Sequence, residues 1–547
     1  MFILWAALAL AGPVDEVRAI AWARGPAAEL VRFAESGDPQ VRLAAARALG
    51  RLRDPAALSP LVALCGDPEE AVRVEAASAL GLTPGAEEAV LSLLAAAPPV
   101  EEPQLRTHLL DALGYVGTER SLPVLREALR GPWPMMGGAA RALGRLGRSD
   151  VPGVSEAVGD LIACTGRNAP YEVEACGWAL RRIGIDAERG DPWRPLVGRV
   201  RTAGSAAAKA ELLSAVWPAA DARSRDKLLT LVLLEPSPAL RARQLSLVQA
   251  GQTSSSALIP LLADPHPWVS AEAVAALGRL GDEAALRALQ GGLDGADPWR
   301  AAERVEALSA AGALVPWAPG DPAPVRAASV GSLDAEARVG VALHDPSQRV
   351  RSAAAYALLE GTPDPDLIAK LSVAEDRSVR EAALDAAGTP IPPEPQRELT
   401  VDLSLREAVL QTSKGELHLR FLTEVAPLAV SAFAGLAEAD FYDGLIFHRV
   451  IPGFVAQGGC PRGDGTGGPG WVIPDEVSAL DFAPGAVGMA RGARDTGGSQ
   501  FFLTTGHHPH LTGEYTQFAV ITEGLEVAER LQVGDRILDV TLVREAP

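Results

Sequence analysis

Aromatic residues are the first shortage in this chain: they make up 5% of its 547 residues, while hydrophobic residues make up 48%. Alanine, leucine and valine must therefore fill most of the interior, which favours helices packed on helices. Positive charge is short as well, with 50 Lys and Arg against 69 Asp and Glu and a net charge of -19. Phosphate recognition needs clustered cations, and no segment supplies them, so nucleic-acid binding is excluded as a function. An acidic balance favours solubility and biases a surface mildly toward basic partners, but it names no substrate.

Cysteine is equally sparse. Cys65, Cys164, Cys176 and Cys460 are too few and too widely spaced for a disulfide framework or a Cys-x-x-Cys zinc site. The first three read as buried thiols on helices, and a Cys164–Cys176 bridge is open to the chain only if it is exported. Long apolar runs are missing apart from Met1–Ala11, which ends in the small-x-small pattern Ala9-Leu10-Ala11. That run is far below the roughly twenty residues needed to cross a bilayer, so no integral membrane span is expected. Residues 1–12 read as a signal peptide or an apolar N-terminus. Export to the periplasm is the expectation, with a cytoplasmic chain as the alternative. There is no GxxxxGK[ST] phosphate loop and no HExxH, and no metal or cofactor is expected.

What the sequence does hold is a rhythm. From residue 13 to residue 388, Asp-Pro followed by an alanine-rich stretch ending Ala-Leu-Gly recurs, as in Asp38–Gly50, Asp67–Gly81 and Asp264–Gly278, with Val-Arg between them in the first two. The early interval is about thirty residues, the length of a two-helix repeat. Asp suits a helix N-cap, Pro suits the first turn, and Gly would permit a left-handed exit at the C-terminus. Val41, Ala45, Ala48 and Leu49 form one apolar stripe, with Arg42 and Arg47 off it. Such a stripe is buried only by stacking copies, so a solenoid is predicted. The rhythm resembles HEAT-like repeats of the PBS-lyase type, which implies a protein-binding array. Trp133, Trp193, Trp268 and Trp299 stand beside prolines at repeat junctions and read as packing between copies.

Residues 389–400 carry a proline-rich run that cannot continue a helix and is fairly stiff, so it is expected to set two parts apart. Beyond it, over residues 401–547, the period changes to alternation. Ala408–Thr412 and Glu416–Phe421 flank a glycine-bearing turn and read as a hairpin. A helix is predicted over Pro427–Ala437, another near Leu525–Leu531, and later strands at Phe518–Ile521 and Val540–Val543.

Within this part, Phe447-His448-Arg449-Val450-Ile451-Pro452-Gly453-Phe454-Val455-Ala456-Gln457-Gly458-Gly459 is echoed by Gly498-Ser499-Gln500-Phe501-Phe502. Together with Gly485–Ala490 and Gln517-Phe518-Ala519, these blocks resemble the cyclophilin family of peptidyl-prolyl cis-trans isomerases. The resemblance implies a closed eight-stranded β-barrel with two helices and Xaa-Pro-containing polypeptides as substrates. It also assigns roles, with Arg449 and Gln457 catalytic and His448, Phe454, Met489, Ala490, Arg491, Gln500, Phe502, Leu511 and Tyr515 binding substrate. Phe447 and Phe501 read as core.

The chemistry is consistent with those residue types. Rotation about the amide before proline crosses a barrier of ~18–20 kcal/mol, and twisting leaves a lone pair on the proline nitrogen. An arginine, charged at any working pH, can stabilise that twisted state more than the planar one. Three departures from the best-known eukaryotic pattern stand out. Arg491 takes the place of an asparagine, and Tyr515 takes that of a histidine, as in bacterial members. His510 takes that of a tryptophan, which predicts weak cyclosporin binding. The function expected is a folding isomerase whose repeats bind a client or protein partner. The alternative is a non-catalytic proline-peptide scaffold or chaperone.

Overall fold

The computed structural model describes residues 12–96, 102–167, 170–185, 192–293, 296–360, 364–389, 394–397 and 399–545. Met1–Ala11 and Pro390–Pro393, on which the leader and much of the stiff linker were expected, lie outside them. The chain forms two units, Met1–Leu231 with Asp475–Phe482 and His508–Gln517, and Val232–Pro474 with Ala483–His507 and Phe518–Pro547. Each combines repeat helices with segments of the C-terminal part.

In the first unit, α1 (Pro39–Leu52), α2 (Glu70–Leu82), α3 (Pro103–Val116), α4 (Met135–Arg148) and α5 (Pro170–Ile183) stack in succession. The predicted stripe is buried, with Val41, Ala45, Ala48 and Leu49 all at most 2% exposed. Asp38 caps α1 by accepting the Gln40 amide at 2.9 Å. The Ala-Leu-Gly glycine does something other than expected. Gly50 and Gly114 lie inside their helices, and neither has a positive φ. A Cβ on Gly50 would lie 2.7 Å from the Ala79 Cβ, and one on Gly114 would lie 2.7 Å from the Ala142 Cα. The glycine therefore lets adjacent helices touch backbone to backbone. Gly388, after the last repeat helix, does turn left-handed at φ 63°.

The Arg of Val-Arg and the Asp of Asp-Pro form a single device. Arg42 reaches Asp67 of the next repeat through two hydrogen bonds, of 2.6 and 2.9 Å. The second unit holds α6 (Pro238–Leu247), α7 (Pro267–Leu280), α8 (Pro298–Ala310), α9 (Ala323–Ser329), α10 (Gln348–Leu359) and α11 (Arg377–Ala386), and three of these helices carry the same device. There Arg241 pairs with Asp264, Arg326 with Asp345, and Arg351 with Asp376. Cys164 and Cys176 are joined in a disulfide, so of the three cysteines read as buried thiols only Cys65 is one; Cys460 is a second free, buried thiol.

The second unit also holds an eight-stranded antiparallel sheet: β1 (Leu405–Thr412), β2 (Gly415–Phe421), β3 (Arg449–Ile451), β4 (Val455–Gly458), β5 (Ala486–Met489), β6 (Phe501–Thr504), β7 (Gln517–Glu523) and β8 (Ile537–Arg544). The spatial order is β3-β4-β6-β5-β7-β2-β1-β8. Its helices are α12 (Pro427–Ala437) and α13 (Leu525–Ala528). The sheet is an open half-barrel where a closed barrel was expected. β3 is three residues long, and the chain before it meets the start of β8 only through a bridge, Ile446 to Arg536, and flanking hydrogen bonds. Phe433, Tyr442, Phe447, Phe501 and Phe518 form the buried aromatic core against α12.

The late repeats pack directly on this sheet's loops, whereas the proline-rich run suggested separation. Trp268 Nε1 donates to the Leu531 carbonyl at 3.2 Å, and Arg300 Nη2 donates to that of Val533 at 2.8 Å. A Cβ on Gly534 would fall within 2.4 Å of the Trp299 ring. Trp268 and Trp299 thus serve the junction with the sheet as well as the array. No described helix is long and apolar enough to cross a membrane.

Candidate active site

Residues directly opposite each other in an antiparallel pair point to the same face. In β3 and β4, Arg449 stands opposite Gln457, and in β4 and β6, Gln457 stands opposite Phe502. The register therefore lays Arg449, Gln457 and Phe502 in one row across three strands. Phe501, next along β6, points the other way into the aromatic core. Alternation alone puts Phe502 on the face of Arg449 and Gln457 and Phe501 in the core.

The guanidinium of Arg449 is exposed and lies 5.6 Å from the centroid of the Phe454 ring, which the β3–β4 turn presents. Arg449 Nη1 donates to Gln457 Oε1 at 3.3 Å. Gln457 Nε2 donates to Gln500 Oε1 at 3.0 Å, and Gln500 Nε2 donates to the carbonyls of Gly465 and Gly467 at 2.7 and 2.8 Å. An amide has one acceptor oxygen and one donor nitrogen. The two glycine carbonyls fix which end of Gln500 faces Gln457, and this fixes which end of Gln457 faces Arg449. Sequence reasoning missed this relay. The available signal was the five glycines from Gly463 to Gly470, three with positive φ, which mark a backbone folded tightly to aim its carbonyls.

Met489 and Phe502 are buried at 3% and 5% exposure, Met489 ends β5 beside β6, and the Ala490 amide donates to the Gln500 carbonyl at 2.9 Å. Arg491 follows, half-buried. His448 lies against Gly465, whose Cβ position would be 3.3 Å from Nε2. Burial pushes the His448 pKa down to about 4, and Arg349 and Arg449 add to the effect against the opposing pull of Asp464, so the ring is neutral near pH 7.

Leu511 and Tyr515 belong to the first unit. Leu511 is 5% exposed, and its carbonyl accepts the Tyr515 amide at 3.0 Å. Repeat residues hold this loop by its backbone: Arg145 donates to the Pro509 carbonyl at 2.9 Å and Tyr115 to that of Thr512 at 2.5 Å. Arg145 in turn is paired with Asp111 at 2.8 Å. Burial alone would raise the Asp111 pKa, but Arg145 and Arg141 hold it below the usual carboxylate range.

Residues 408–544 match the family model for cyclophilin type peptidyl-prolyl cis-trans isomerases, and residues 27–100 and 225–309 match the model for HEAT repeats. A peptidyl-prolyl cis-trans isomerase of Synechococcus elongatus is 48% identical over 144 residues, which are 26% of this chain and 99% of that protein. This chain belongs to the cyclophilin-type peptidyl-prolyl cis-trans isomerases. Two further relatives agree. A peptidyl-prolyl cis-trans isomerase of Helicobacter pylori is 52% identical over 24% of this chain and 82% of its own length. Peptidyl-prolyl cis-trans isomerase B of Bacillus subtilis is 48% identical over 23% of this chain and 89% of its own length. In this cyclophilin the matched part is about a quarter of the chain, and the HEAT matches lie outside it, at residues 27–100 and 225–309.

Proposed function

We propose that Arg449 is the group that lowers the rotation barrier. Its guanidinium lies over the Phe454 ring, so a proline ring seated on that apolar surface would bring its nitrogen beside a fixed cation. As the amide twists, the nitrogen's new lone pair accepts a hydrogen bond that the planar amide cannot, so the interaction strengthens only toward the transition state. Gln457 holds Arg449 in place and reaches the peptide. Phe454, Met489 and Phe502 form the apolar slot, His448 borders it, and Gln500, Ala490 and Arg491 meet the extended chain; the family resemblance adds Leu511 and Tyr515 to the substrate-binding residues. The observation that carries this reading is the Arg449–Phe454 juxtaposition together with the 3.3 Å bond to Gln457. The test is cis-trans exchange of a short Ala-Pro peptide measured by NMR with the full chain and with Arg449→Ala. Exchange that the parent does not accelerate would sink it.

Around this centre we assign residues 13–388 to a HEAT-like array that binds a protein client or partner, residues 389–400 to a linker and residues 401–547 to the isomerase. His510 supports weak cyclosporin binding. We also propose that the chain is exported. The Cys164–Cys176 disulfide supports this reading, since such bonds persist in oxidising compartments. N-terminal sequencing of the mature protein tests it, and retention of Met1 would count against it.

A further inference from the structure

The loop that orients the active-site amides is itself held by the repeat array. Arg349, on repeat helix α10, is mostly buried, lies 4.8 Å from the Trp299 ring centroid and donates through Nη1 to the Gly463 carbonyl at 2.5 Å. Glu381, on the last repeat helix α11, is 3.4 Å from the guanidinium of Arg462, which also donates to Thr466 Oγ1 at 3.3 Å. Glu381 is held in turn by Arg377 at 2.6 Å. Between these two grips the loop has little freedom. The amides of Gly465 and Gly467 donate to Cys460 Sγ at 3.3 and 3.2 Å, and Asp464 accepts the Thr466 amide at 2.8 Å. The Gly465 and Gly467 carbonyls are the acceptors that fix Gln500.

We propose that Arg349 and Glu381 are positioning residues of the isomerase, so that the repeat array aims the arginine of the centre as well as offering a binding surface. This rests on the reading of Arg449 given above. If the loop shifts, Gln500 loses the two carbonyls that decide its orientation. Gln500 and then Gln457 are free to flip, which would turn the Gln457 amide nitrogen toward Arg449. Two donors would then face each other, and the guanidinium would lose the acceptor that fixes it. A partner that moved α10 or α11 would alter the isomerase rate without touching its substrate groove.

The test uses the full chain carrying Arg349→Met, Arg349→Lys or Glu381→Gln. Two readouts are followed: kcat and KM on an Ala-Pro peptide, and the side-chain amide resonances of Gln457 and Gln500 in 15N-glutamine-labelled protein. Arg349→Met is expected to lower kcat by about five- to tenfold, the size of a modest misplacement, with KM little changed. Both glutamine resonances should move. Arg349→Lys, which keeps a donor for the Gly463 carbonyl, should restore most of the rate, and Glu381→Gln should give a smaller loss of the same kind. Glutamine resonances at parental positions in a folded Arg349→Met protein overturn the proposal. If that variant does not fold, parental resonances in Glu381→Gln overturn it instead. A parent without isomerase activity would refute the reading of Arg449, while the resonances would still decide whether the array sets the two amides.

Discussion

Arg42 binds Asp67 of the following repeat through both oxygens of the carboxylate, at 2.6 and 2.9 Å, and the same pairing joins Arg326 to Asp345. In this array the arginine of one copy neutralises the aspartate that opens the next. The pair is thus an interface bond written within a repeat motif. Asp345 is 9% exposed, so Asp345→Ala leaves a buried guanidinium without its carboxylate. The expected loss is about 2–4 kcal/mol, since breaking one side of a buried pair strands the other. Thermal unfolding of the variant against Asp345→Ala/Arg326→Met checks it: removing both partners should cost less than removing one.

The helix-interior glycines make an opposite-sign pair. Alanine is favoured over glycine within a helix by ~1 kcal/mol, yet a Cβ on Gly114 would sit 2.7 Å from the Ala142 backbone. Overpacking of that kind costs ~1–3 kcal/mol, and a backbone neighbour cannot swing aside, so Gly114→Ala should destabilise. Gly340, inside the helix Ala335–His344, meets nothing within 4 Å. Gly340→Ala should therefore stabilise by up to ~1 kcal/mol, and melting curves of the two variants should shift in opposite directions.

These two cases show where a one-dimensional reading stops. The apolar stripe of α1, the hairpin of β1 and β2 and the bounds of α12 were legible, because periodicity and turn residues act within a few positions. Arg449, Gln457 and Phe502 were singled out through resemblance alone, and the register lays them on one face. The Arg42–Asp67 pairing, the tight contact at Gly50 and the relay through Gln500 were not. Each joins residues about 25 to 43 positions apart, and no local preference distinguishes an arginine that pairs with the next repeat from a solvated one. The closed barrel failed for a related cause, since whether β3 pairs with β8 depends on strand ends that alternation does not define.

For catalysis, Arg449→Ala should reduce kcat/KM by about 100- to 1000-fold, the range seen when one preorganised donor to developing charge is removed. Peptide affinity should change far less, because Phe454 and the buried Met489 and Phe502 remain. Arg449→Lys should recover only part of the rate, since a single ammonium cannot hold Gln457 and face the proline nitrogen at once. Exchange spectroscopy for the rate and peptide titration for the affinity separate the two effects.

Two half-buried histidines, His448 and His510, contribute to the acid limb of stability. Burial holds His448 at about 4 in the folded chain, and burial with the neighbouring arginines Arg182 and Arg181 holds His510 at about 3, against about 6.5 when unfolded. A depressed histidine pKa means that the unfolded chain binds the proton first. Stability is therefore full above pH 6.5 and falls as the pH drops toward each folded pKa. For His448 the loss is at most about 3.5 kcal/mol, at roughly 1.4 kcal/mol per pH unit. The depressed carboxylates Asp67 and Asp376 add their own loss in a lower window, below about pH 4. Urea midpoints measured at pH 7, 5.5 and 4.5 should decline for the parent, decline less for His448→Gln and less again for His448→Gln/His510→Gln, with His108 and His266, whose pKa values burial also lowers, keeping part of the slope. A double variant with the parental slope would show that other groups govern the acid limb.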